Sequence, residues 1–188
     1  MLPVAICAPQ HRRAILWAAI LASSMGFIDS SVTAIALPAM RHALSASLAQ
    51  AQWFSAAYLL ALSALILAGG ALGDRFGTAR VFAAGIALFV LASLGCALAG
   101  TAHAMILARG LQGVAAALMV PGSMAIIGRA YPREERGKAL GLWAAASIAT
   151  TAAGPVLGGL ALTWHPDLGW RLVFALNLPL GLAALYLL

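Results

Sequence analysis

The 188 residues include 11 Lys and Arg and 5 Asp and Glu, a net charge of +6, yet only 9% are charged and 63% are hydrophobic. A soluble domain averages about 25% charged residues, so this composition leaves no room for one. The basic residues stand at the ends of apolar runs rather than in one patch, which excludes nucleic acid as a partner.

Charge is absent from residues 43–73, 81–108, 110–128, 139–164 and 172–188, and residues 14–40 hold only Asp29. Crossing a bilayer takes roughly 20 apolar residues. The pattern therefore predicts an all-α polytopic bundle of six spans, over about 14–38, 50–72, 80–98, 104–127, 139–163 and 172–188. His11-Arg12-Arg13 ahead of the first span is not read as a signal peptide, because five more apolar segments follow. Residues 1–13 form a short tail.

The first span contains Asp29, in its outer half before Pro38. An ion in hydrocarbon is costly, and a membrane protein that keeps one usually uses it. Gly70 stands near the end of the second span, and Asp74, Arg75 and Gly77 follow it in a tight inner turn. Its glycines permit close backbone approach. Asp74 is placed just before the third helix, where a carboxylate favours exposed amides and the positive dipole end.

Cys96 in the third span reads as apolar filler. Cys7 and Cys96 have neither metal-like nor disulfide-like spacing. In the fourth span Arg109, Gln112, Gly113, Ala116 and Ala117 share one helical face, polar at the outer end and small below. Arg109 has two readings, a snorkelling interfacial arginine or a functional intramembrane charge.

Residues 129–138 are read as a charged inner loop. In the fifth span Pro155 cannot donate to the carbonyl of Thr151, which predicts a kink or loosening. Gly154 and Gly158 form a small-xxx-small face for close helix approach. Residues 164–171 form an outer loop. The last span runs to Leu188 with no polar flank, so a longer protein is expected, of which this is the N-terminal part.

With the N-terminus inside, Arg12, Arg13, Arg75, Arg80, Arg129, Arg133, Arg136 and Lys138 lie on the cytoplasmic side, and only Arg41 and Arg171 lie outside. That bias is the positive-inside rule. No paired carboxylates, Ser-His constellation or metal-spaced histidines are present, so an enzyme is not expected.

Several strings together resemble the major facilitator superfamily of secondary transporters, and within it the 14-helix drug–proton antiporters. The spacing Gly70-x-Leu72-x-Asp74-Arg75-x-Gly77 is similar to the signature between helices two and three. Thr78-Ala79 stand where basic residues are usual. Arg109-x-x-Gln112-Gly113 is similar to the fourth-helix motif, and Gly154-Pro155-x-x-Gly158-Gly159 to the fifth-helix antiporter motif. Residues 28–38 resemble the first-helix motif, with Ala34 in place of its asparagine. Gln52-Trp53 with Tyr58-Leu59-Leu60, and Trp170-Arg171 with Phe174 and Asn177-Leu178-Pro179-Leu180-Gly181, mark helices two and six.

The resemblance implies the N-terminal six-helix half, with a 3+3 inverted repeat, of a multi-pass exporter in a bacterial inner membrane. It implies an amphipathic small-molecule substrate, protons as the coupling ion and no other cofactor. The partners implied are the lipid bilayer and a C-terminal half. Asp29, Arg109 and Gln112 would serve proton coupling and gating. Gly70, Asp74, Arg75 and Gly77 would latch the cytoplasmic side. Gly154, Pro155, Gly158 and Gly159 would shape the moving fifth helix and seal it against leak. An inactive fragment, a half that needs a separate partner, and a metabolite transporter of the same fold stay open as alternatives.

Overall fold

A computed structural model describes residues 9–165 and 168–188. Cys7 and part of the expected outer loop lie outside them. Hydrocarbon offers no water to backbone amides, so spanning segments must bond internally as helices. The chain does this with α1 (Pro9–Ala43), α2 (Leu48–Phe76), α3 (Thr78–Leu98), α4 (Ala102–Ala130), α5 (Arg133–Trp164), α6 (Gly169–Ala175) and α7 (Asn177–Leu187). Together α6 and α7 make the sixth span, so six segments are long and apolar enough to cross a membrane.

The helices begin and end for local reasons. A capping box opens α2: Ser47 Oγ accepts from Gln50 N at 3.2 Å, and the Gln50 side chain accepts from Ser47 N at 2.9 Å. Thr101 caps α4 by accepting from Ala104 N at 3.2 Å. Gly77 alone separates α2 from α3, at φ +98°, a conformation that suits glycine. The sixth span breaks at Leu176 because Pro179 has no N–H for the Ala175 carbonyl.

Several boundaries differ from the sequence reading. α1 continues past Pro38 to Ala43. The segment read as an inner loop is mostly helix, since α5 starts at Arg133. Glu134 and Glu135 in its first turn complement the positive end of the helix dipole. Asp74 and Arg75 lie in the last turn of α2, and no side chain caps α3. Asp74 is therefore not the expected cap of the third helix.

Packing follows a paired pattern. α2 lies against α4, as α5 lies against α1; α3 lies against α4, as α6 and α7 lie against α1. Exchanging the first three spans for the last three thus maps the contacts onto themselves. Equivalent helices are three steps apart along an alternating chain, with two spans between them, so they run in opposite directions, which makes the repeat inverted. α2 and α5 are the least enclosed spans, and their apolar outer faces include Leu60, Leu67, Ile148 and Val156.

Glycine sets the closest approaches. A Cβ on Gly69 would strike the Ala117 carbonyl, and one on Gly113 would strike the Tyr58 carbonyl, so α2 and α4 touch backbone to backbone. A Cβ on Gly154 would strike Ser31 Oγ, and one on Gly158 would stand 2.7 Å from Val32 Cγ1. These two positions seat α5 on α1.

Candidate functional site: a buried ion pair beside a cavity

Asp29 and Arg109, 80 residues apart, meet inside the bundle. Arg109 Nη1 donates to Asp29 Oδ2 at 2.5 Å, and the two side chains are 0% and 2% exposed. Helix geometry explains the meeting. Asp29 lies on the face of α1 that also buries Met25, Val32, Thr33 and Ala36, while Arg109 opens the small-residue face of α4 that lies against α2.

A lone charge there would be prohibitively costly, and even a pair needs its remaining hydrogen-bonding capacity met. That is what surrounds it. Arg109 Nε donates to the Phe54 carbonyl at 2.8 Å, and Nη1 also donates to Gln112 Oε1 at 2.7 Å. Gln112 Nε2 donates to Asp29 Oδ1 at 3.2 Å and to Ser93 Oγ at 2.8 Å. Asn177 Nδ2 donates to Asp29 Oδ1 at 3.4 Å and to Ser93 Oγ at 3.2 Å. The Cys96 thiol donates to Gln112 Oε1 at 3.3 Å. The guanidinium lies 4.6 Å from the Tyr58 ring centre and 5.8 Å from that of Phe174.

The expected grouping of Asp29, Arg109 and Gln112 is thus seen as one network. Gln112 bridges the pair, accepting from Arg109 and donating to Asp29. Arg109 does not snorkel, being 1% exposed. Cys96 is not filler, since its thiol joins the network. Ser93 was missed entirely, and Asn177, Tyr58 and Phe174 were noted only as parts of strings. A lone serine or amide in an apolar span was the available signal.

Buried polar atoms on the network's outer side stay unpaired in the structure: Asn177 Oδ1, Thr33 Oγ1 and Trp170 Nε1. Thr33 lies one turn beyond Asp29 on α1, and Trp170 two turns before Asn177.

The second group behaves differently. Asp74 Oδ1 accepts from Arg129 Nη2 of α4 at 3.0 Å, with side-chain exposures of 78% and 52%. Arg75 is exposed, and its guanidinium lies 5.3 Å from the Phe76 ring centre. A Cβ on Gly70 would stand 3.8 Å from Pro121 Cβ of α4, and Gly77 is the turn itself. In the third group Gly154 and Gly158 face α1, whereas Pro155 is exposed and a Cβ on Gly159 would meet nothing within 4 Å. The fifth-helix motif therefore splits between two faces.

Next to the network lies a cavity of about 340 Å³ between α1, α2, α4 and α5. Ser23, Gly26, Ser30, Tyr58, Met119 and Trp143 are among its lining residues. Trp143 Nε1 donates to Ser23 Oγ at 2.9 Å, bridging α5 to α1. None of Asp29, Arg109 and Gln112 lines it. The wall is apolar with hydroxyl and indole edges.

Comparisons with known proteins agree with this geometry. The family model described as Major Facilitator Superfamily matches residues 19–188. The chain is 42% identical over 173 residues to the tetracenomycin C resistance and export protein of Streptomyces glaucescens, an alignment covering 90% of this chain and 32% of that protein. It is 39% identical over 162 residues to the methylenomycin A resistance protein of Bacillus subtilis (strain 168), covering 86% and 34%. Among solved structures, a bacterial homolog of the human lysosomal transporter Spinster, inward-facing and occupied, superposes with TM-score 0.80 at 23% identity, covering 96% of this chain and 44% of that one. The chain thus spans about a third of the length of these curated relatives.

Proposed function

Because the chain belongs to the Major Facilitator Superfamily, a family of membrane transporters, we propose that it forms the N-terminal half of a proton-coupled exporter of amphipathic small molecules. Similarity to resistance and export proteins supports the direction of transport and the substrate class. The buried Asp29–Arg109–Gln112 network carries the proposal of proton coupling. Asp29 gains and loses the proton. Arg109 compensates its charge when ionised, and Gln112 holds both in register.

In this reading a second six-helix unit covers the exposed faces of α2 and α5 and completes the substrate path, since transport in this family proceeds by rocking two units about a site between them. Arg75, exposed beside Gly77, faces that unit at the cytoplasmic end. Gly154 and Gly158 let α5 move against α1 without opening a leak. The excess of Lys and Arg at one end supports a cytoplasmic N-terminus, and the bacterial relatives support a bacterial inner membrane. Protons are the only coupling ion, and no further cofactor is required.

The test uses the assembled two-half transporter in proteoliposomes with an imposed proton gradient and ethidium as the transported dye. Asp29→Asn should insert normally and lose gradient-driven export. Export at the wild-type rate, still abolished by a protonophore, would make Asp29 structural and refute the proposal.

A further inference from the structure

Five groups hold the Arg109 guanidinium: the Asp29 carboxylate, Gln112 Oε1, the Phe54 carbonyl, and the rings of Tyr58 and Phe174. Of these, only Tyr58 also lines the cavity. One face of its ring lies 4.6 Å from the guanidinium carbon. Its hydroxyl reaches the cavity side of α1, where a Cβ on Gly26 would stand 3.7 Å from it. Ser30, the neighbour of Asp29 in sequence, lines the same cavity next to that hydroxyl.

We infer that Tyr58 is the positioning residue that couples ligand occupancy of the cavity to the protonation of Asp29. The inference rests on the proton-coupling reading above and adds the link between the two sites. Its physical basis is the sharing of one cation. While Asp29 is ionised, the guanidinium is held mainly by the charge-assisted bond to its carboxylate. Once Asp29 is protonated, the cation has only neutral partners: the carbonyl oxygens of Phe54, Gln112 and the Asp29 carboxylic acid, and two ring faces. In a dry site a cation over a ring is worth about 2 kcal/mol or more. The Tyr58 ring is then drawn onto the guanidinium, and its cavity edge shifts with it. A ligand seated against that edge resists the shift. Ligand and proton therefore oppose one another, and linkage makes the opposition mutual.

The charged and titratable groups facing Asp29 are few. They are Arg109 from α4, Tyr58 from α2 and Cys96 from α3. The charged residues of α5 lie in its first two turns, at 133–138. Arg171 of α6 is turned away, donating to the Ala97 carbonyl at 2.5 Å. α7 contributes the neutral amide of Asn177.

The experiment measures ethidium affinity of the assembled transporter at mildly acidic and mildly alkaline pH. The wild type should bind about tenfold more tightly at the alkaline end, a coupling of ordinary size. Tyr58→Phe keeps the ring and should keep that ratio. Tyr58→Met keeps bulk without a ring; it should still bind the dye, with the ratio reduced to under about twofold. Asp29→Asn should be flat with pH. If wild-type binding does not change with pH, or Asp29→Asn retains the change, the proton-coupling reading itself fails. If Asp29→Asn is flat while Tyr58→Met keeps the full ratio, only the role of Tyr58 is refuted. Should Tyr58→Met not fold, Tyr58→Phe decides alone: loss of the ratio in a folded, dye-binding Tyr58→Phe protein overturns the ring-face coupling.

Discussion

Two carboxylate–arginine pairs tie α4 to its neighbours, and they are built for opposite environments. Asp29–Arg109 joins α1 to α4 with both side chains almost fully enclosed, and Asp74–Arg129 joins α2 to α4 with both mostly exposed. Their lengths, 2.5 and 3.0 Å, do not differ enough to separate their roles. Their surroundings do. The enclosed pair draws on partners from α2, α4 and α7, whereas the exposed pair has one hydrogen bond and solvent. Coulomb energy scales inversely with the effective dielectric, so the same two charges interact far more strongly when enclosed. Enclosure also makes either charge dangerous without the other.

The sharpest way to break the comparison is to remove one partner. Arg109→Ala leaves the Asp29 carboxylate buried and uncompensated, a loss of about 3–5 kcal/mol. Unfolding in mixed detergent–SDS micelles, followed by circular dichroism, should show it. The double variant Asp29→Asn/Arg109→Gln should recover part of that loss, because no bare charge remains. A double variant less stable than Arg109→Ala would mean that the charges are not what holds the site.

A smaller effect is expected within the network. Gln112→Ala keeps both charges but leaves Asp29 Oδ1, Ser93 and Cys96 each one partner short. The same unfolding measurement should register about 1–3 kcal/mol. No measurable change would show that water replaces the amide.

The smallest effect belongs to the exposed pair. Asp74→Asn should cost less than about 1 kcal/mol, and the difference should shrink as salt is raised. A loss comparable with that of Arg109→Ala, insensitive to salt, would erase the distinction between the two sites.

Six spans, their order and the bias of basic residues to one end were legible from hydropathy and charge, because the bilayer imposes a length and a polarity that composition must meet. Helix ends were less legible. Pro38 read as the end of the first helix, yet α1 runs on, since prolines inside membrane helices are tolerated where neighbours re-satisfy the backbone. The charges of 133–138 read as loop, but acidic residues at a helix start favour more helix.

Asp29, Arg109 and Gln112 stood out singly because each is conspicuous in hydrocarbon. Their meeting depends on which faces α1 and α4 turn toward one another where the two helices pack. Packing of α3 against α4, and of α7 against α1 and α3, recruits Ser93, Cys96 and Asn177, which carry no charge to betray them. The seating of α5 leaves Gly159 and Pro155 off the α1 contact, although they share a motif with the residues on it. Sequence by itself determined that this chain spans a membrane six times and keeps charge within it, because solvation energy acts residue by residue. Only the tertiary structure decided that the charges pair, and that Tyr58 stands between them and the cavity, because those facts rest on contacts between segments up to about 150 residues apart.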